Sequence, residues 1–87
     1  MGLMLMQNYP NPFVGRTTIE YTLPAAGPVQ LRVFNIAGEE VARVVDGTLG
    51  AGMQRAEFSS GSLPSGTYLY RLNTNAGELT QRMTIVK

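Results

Sequence analysis

The stretch Leu63 to Leu72, LPSGTYLYRL, constrains the fold more than any other. Pro64, Ser65 and Gly66 are turn chemistry: proline pre-sets φ, and glycine takes φ > 0 without a Cβ clash. Tyr68, Tyr70 and Leu72 then fall on one face, and Thr67, Leu69 and Arg71 on the other. That is the period of two of a strand with one face in a core. It is expected to be a central strand against which the others pack.

The same alternation recurs along the chain. Leu3 and Leu5 alternate with Met4 and Met6. Ile19, Tyr21 and Leu23 read as inward, with Thr18, Glu20 and Thr22 outward. Val29, Leu31 and Val33 alternate with Gln30, Arg32 and Phe34, and Val41 to Asp46 continues less regularly. Met53 to Ser59 carries Ala56 and Phe58 inward, and Glu78 to Lys87 carries Met83 and Ile85 inward. Between them stand turn signals, among them Pro24–Pro28, Ala37–Glu40, a loose glycine loop at Gly47, Gly50 and Gly52, and Asn73–Gly77. Seven strands at a spacing of roughly 8–12 residues predict an all-β, immunoglobulin-like or fibronectin-like antiparallel sandwich. With 87 residues this is one domain, 1–87, in which Met1-Gly2 reads as an expression start. A chain this short buries only roughly 60 % of its unfolded surface, so its stability margin is thin.

The proline-rich run Asn8-Tyr9-Pro10-Asn11-Pro12-Phe13 breaks the strand pattern. Its two X-Pro pairs deny ladder hydrogen bonds and keep it extended, which predicts an irregular crossing with Tyr9 and Phe13 as apolar plugs. Phe34 and Ile36 are unusual for a solvated face. Either the strand bulges near Asn35 or that face is covered. Phe34, Ile36 and Leu69, with Arg71 beside them, form a candidate docking patch if they are contiguous.

Chemistry is harder to find. Histidine and cysteine are absent, and the one lysine is the last residue, so the serines at 59, 60, 62 and 65 lack the usual base. Adjacent Glu39 and Glu40 point apart on a strand or turn, and a calcium site from these and Asp46 would need convergent oxygens. GTLGAG is not a phosphate loop, and a strand follows it. No catalytic residue, metal or cofactor is expected. A net charge of +1 argues against nucleic acid, and the longest apolar run, Met1 to Met6, is far too short to span a bilayer. Edge strands leave room for a homodimer, including a strand-swapped one.

Four segments together resemble one family. They are QNYPNPF at Gln7 to Phe13 followed by TTIEYTLP, VQLRVFNIAGEEV at Val29 to Val41, LPSGTYLYRL, and the ending RMTIVK. In order, spacing and position they are similar to the C-terminal sorting domain of cargo proteins of the type IX secretion system of Bacteroidota, the Por secretion system tail. A related sandwich occurs in flagellar hook-capping proteins, but the terminal R-M-x-I-V-K favours the sorting domain. The resemblance implies an address label on an upstream cargo domain. The cargo crosses to the periplasm by a signal peptide, and the outer-membrane export machinery then recognises the tail. In many members a surface cysteine peptidase removes the tail, and the cargo ends at the cell surface or outside it. Carried over, the motif positions are Pro10, Asn11, Pro12, Phe13, Gly38, Gly66, Tyr68, Met83 and Lys87. The last strand, Arg82 to Lys87 with Ile85 and Val86, is the expected recognition element, read by strand addition at an exposed edge. The alternative is an immunoglobulin-like accessory module serving as spacer, carbohydrate contact or assembly piece.

Overall fold

The computed structural model describes residues 2–87. Seven strands follow in order: β1 (Met4–Leu5), β2 (Arg16–Leu23), β3 (Gly27–Phe34), β4 (Glu40–Leu49), β5 (Gly52–Ser59), β6 (Gly66–Thr74) and β7 (Gly77–Ile85). They form a three-stranded sheet, β1-β2-β5, and a four-stranded sheet, β4-β3-β6-β7. Every named strand pair is antiparallel. The fold is the expected immunoglobulin-like sandwich.

The alternation explains the core. Ile19, Tyr21 and Leu23 from β2 meet Val29, Leu31 and Val33 from β3 and Tyr68, Tyr70 and Leu72 from β6, all buried. Met83 and Ile85 complete the four-stranded face, and Leu5 and Phe58 the other. Strand β6 lies between β3 and β7, as a central strand should.

The glycine loop is tighter than expected. Strand β4 runs on to Leu49 and pairs it with Gly27, while β5 begins at Gly52, so only Gly50 and Ala51 connect the strands. The irregularity of Val41–Asp46 has a cause in pairing. Register shifts at Leu31/Arg32 and Val33/Phe34 insert one extra β4 residue each, as bulges do. The β3–β4 turn is built on Asn35, whose Oδ1 accepts from the backbone N–H of Ala37 and of Glu39, each at 3.0 Å. Gly38 closes it at φ 86°, a conformation that costs an L-residue about 1–2 kcal/mol.

Candidate recognition end

Strand register brings the motif segments to one end of the sandwich. Strand β6 begins at Gly66 opposite Ile85, β3 ends at Phe34 opposite Leu69, and β2 begins at Arg16 opposite Ser59. Residues 35–39, 60–65 and 86–87 therefore all lie beyond the same ends of the strands, and residues 9–13 pass beside β2 and β7 near those ends.

Here the proline-rich segment does something the strand pattern did not show. It runs alongside the outer edge of β7 and occupies it. Phe13 N–H donates to Thr84 O (3.0 Å), and Val86 N–H donates to Phe13 O (2.9 Å), in a parallel bridge between Phe13 and Ile85. Thr84 N–H donates to the Asn11 side-chain oxygen at 2.9 Å, and Gln7 Nε2 donates to Arg82 O at 2.7 Å. The exposed β7 edge expected for strand addition is thus closed from Arg82 to Val86 by the chain itself. Both X-Pro bonds of the segment, Tyr9-Pro10 and Asn11-Pro12, are cis.

The two aromatics of this segment part company. Phe13 is 1 % exposed and packs edge-on against Phe58, with ring centroids 6.2 Å apart. It is the expected plug. Tyr9 is 80 % exposed and is not one. It forms an isolated antiparallel bridge with Thr18 on β2, which puts its side chain on the side away from the core.

The loop from Ser60 to Ser65 holds the chain's last residue. Lys87 N–H donates to Ser65 Oγ (2.9 Å), and Lys87 Nζ donates to Gly61 O (2.7 Å). Ser60 N–H donates to Gly15 O at 2.8 Å, which ties this loop to the proline-rich segment. Tyr68 OH donates to Pro64 O at 2.8 Å and closes the LPSG turn. Lys87 is anchored by its backbone and its amine.

Beneath this surface lies a buried polar knot. Tyr70 OH donates to Met6 O (2.7 Å) and accepts from Asn8 N–H (2.8 Å). The Asn8 side-chain amide donates to Thr17 Oγ1 (3.0 Å) and Pro10 O (3.1 Å). Asn8 and Thr17 are buried, as is Tyr70. Strand alternation puts Tyr70 in the core but gives Gln7, Asn8 and Ser65 no anchoring role. Only a polar residue beside the prolines hinted at Asn8, and the hydroxyl of a tyrosine on a core face needs a partner.

Burial pushes the Tyr70 phenol up to about 12, against the opposing hydrogen bond from Asn8. Burial also raises Tyr21. A phenol that holds its proton longer when folded favours the native state only while the unfolded phenol is also protonated. Above its ordinary value the unfolded chain releases the proton first, so stability falls with rising pH. On account of the phenols, stability should be level from neutral pH to about 10 and decline between 10 and about 12. Urea midpoints measured across that range check it.

Of the two alternatives for the face that carries Phe34, a bulge or a cover, the structure shows a register shift at Val33/Phe34 and a covered ring. Phe34 is 9 % exposed, with the Arg71 guanidinium 4.7 Å and the Arg32 guanidinium 5.3 Å from its ring centroid. The outer face is covered by arginine stems, which bury apolar surface and keep their charge near water. Leu69 is half-buried opposite Phe34, while Ile36 is 81 % exposed in the β3–β4 turn. The acidic residues near this face are engaged by neighbouring side chains. Glu39 accepts from Asn35, and the hydrogen bond from Arg43 holds the Glu40 carboxyl below its ordinary value. Asp46 accepts from Arg43 at 3.0 Å.

Two antiparallel sheets packed around one core define a small β-sandwich domain. The chain belongs to the family of secretion system C-terminal sorting domains, whose family model matches residues 7–87. It is a sorting-signal domain of type IX secretion, and a protein that carries it is exported from the cell. No curated protein shows a significant match to the chain.

Proposed function

We propose that this domain is a non-catalytic address whose readable surface is the composite end where Asn11–Phe13, Ser60–Gly66 and Thr84–Lys87 meet. It directs an upstream cargo domain through the outer-membrane export machinery. A surface cysteine peptidase then acts on the tail, and the cargo is attached at the cell surface or released. The observation that carries this reading is the mutual anchoring of the three segments. Asn11 and Phe13 hold Thr84 and Val86, and Ser65 and Gly61 hold Lys87. Recognition of a closed edge differs from strand addition. It reads the side chains of Thr84–Lys87 presented in a fixed frame, which preorganisation favours.

The test fuses the whole chain to a reporter with an upstream signal peptide, in a bacterium that has this secretion system. Deleting Ile85 to Lys87 should abolish surface delivery while the reporter still reaches the periplasm. Unchanged delivery would place the address elsewhere.

A further inference from the structure

Two sheets have four edges, and three of them are blunted. The β7 edge is closed from Arg82 to Val86 by the proline-rich segment. Strand β1 is two residues long. Strand β4 carries two register shifts against β3, and bulges of this kind spoil an edge for further pairing. Strand β5 has none of these devices. It pairs with β2 over eight consecutive residues, Gly52 to Ser59, without a shift.

The register fixes which backbone groups of β5 face outward. Glu20 O accepts from Met6 N–H, and Thr18 exchanges both backbone hydrogen bonds with Tyr9, so the even residues of β2 turn their backbone groups away from β5. In an antiparallel ladder, opposed residues exchange either both hydrogen bonds or none. Opposite Thr22, Glu20, Thr18 and Arg16 stand Met53, Arg55, Glu57 and Ser59. These four therefore present N–H and C=O groups at the open edge, and among the described residues no backbone group pairs with them there. All four are exposed.

We propose that this edge pairs with a second copy of itself, antiparallel through Met53–Ser59, so that two three-stranded sheets join into one. The charges select that occupant. About a two-fold axis at Ala56, Arg55 stands opposite the partner's Glu57, and Glu57 opposite the partner's Arg55, as an isologous contact requires. Each arginine then lies between Glu20 of its own chain, 2.8 Å away, and a carboxylate of the other. Moving the axis one residue either way sets Arg55 on Arg55 or Glu57 on Glu57, and like charges directly opposed destabilise a strand pair. Ala56 falls on the axis as a non-hydrogen-bonded pair, where Cα atoms approach to about 4.5 Å and a methyl group fits. The edge lies across β2 from Tyr9, so the pairing leaves the proline-rich segment in place.

Sedimentation equilibrium of the whole 87-residue chain tests this. The mass should rise from monomer toward dimer as concentration approaches about 1 mM, the affinity range of a small interface. Arg55→Glu opposes carboxylates at both pairs, and Glu57→Arg opposes guanidiniums. Each should weaken association about tenfold. An equimolar mixture of the two variants should associate as well as the parent, because every opposed pair is again of opposite sign. At high concentration the amides of Met53, Arg55, Glu57 and Ser59 should exchange with solvent more slowly than at low. A parent that stays monomeric at about 1 mM, or a mixture that stays monomeric, would overturn the pairing. So would a dimer undiminished in Arg55→Glu, because a dimer made by exchanging β7 between chains does not use this edge.

Discussion

Phe13→Ala should cost about 3–5 kcal/mol, the usual range for emptying a buried phenylalanine site. For 87 residues the whole domain has only about 4–13 kcal/mol to lose, at 0.05–0.15 per residue. The ring is 1 % exposed and rests edge-on against Phe58. It therefore sits in the core between Phe58 of β5 and Ile85 of β7. Its backbone also carries the two hydrogen bonds that close the β7 edge. The substitution removes packing and loosens the cover together. Urea unfolding checks this: the midpoint should drop with little change in slope, since the surface exposed on unfolding is nearly the same. A loss under about 1 kcal/mol would mean that the segment is only draped over the core.

Tyr70→Phe removes a single oxygen and should cost about 2–4 kcal/mol. The hydroxyl is the hydrogen-bond acceptor for Asn8 N–H and the donor to Met6 O. Phenylalanine would leave a buried donor and a buried acceptor without partners, at roughly 1–3 kcal/mol each, with partial relaxation. The same change should flatten the alkaline decline, because the phenol displaced to about 12 is gone. Tyr21, raised in the same direction, should leave a residual slope. Near-neutral stability in Tyr70→Phe would show that water satisfies the freed groups and that the knot is not rigid.

How much of this could be read in the sequence follows from the range of each interaction. Strand faces were legible because alternation is local: Tyr68, Tyr70 and Leu72 could be assigned inward from their own neighbours. The sandwich followed from repeated strands and turns. Pairing at the β7 edge was not legible. The bonds from Asn11 to Thr84 and from Gln7 to Arg82 span 73 and 75 residues, and nothing in the local pattern marks such partners. Tyr9 and Phe13 looked alike as aromatics beside prolines, yet Phe13 is buried and Tyr9 is exposed. Parity put Phe34 on the outer face and left open a bulge or a cover. Parity gives the face but cannot say that Arg32 and Arg71, on adjacent strands, fold their stems over the ring. At the recognition end the resemblance named Asn11, Phe13 and Lys87. It did not reveal that one short segment and one loop hold the chain's last residues in place.

That mutual anchoring is the central claim, and Asn11 tests it with least damage to the fold. Its side-chain oxygen accepts from Thr84 N–H in an exposed setting, so Asn11→Ala should cost only about 1 kcal/mol. The decisive measurement is surface delivery of the reporter fused to Asn11→Ala, beside Asn11→Asp, which keeps an acceptor for Thr84. A composite address predicts a clear fall for alanine and recovery for aspartate, with both variants folded. Full delivery by Asn11→Ala, with its Thr84 amide exchanging freely with solvent, would show that the machinery reads the last residues without the frame that holds them.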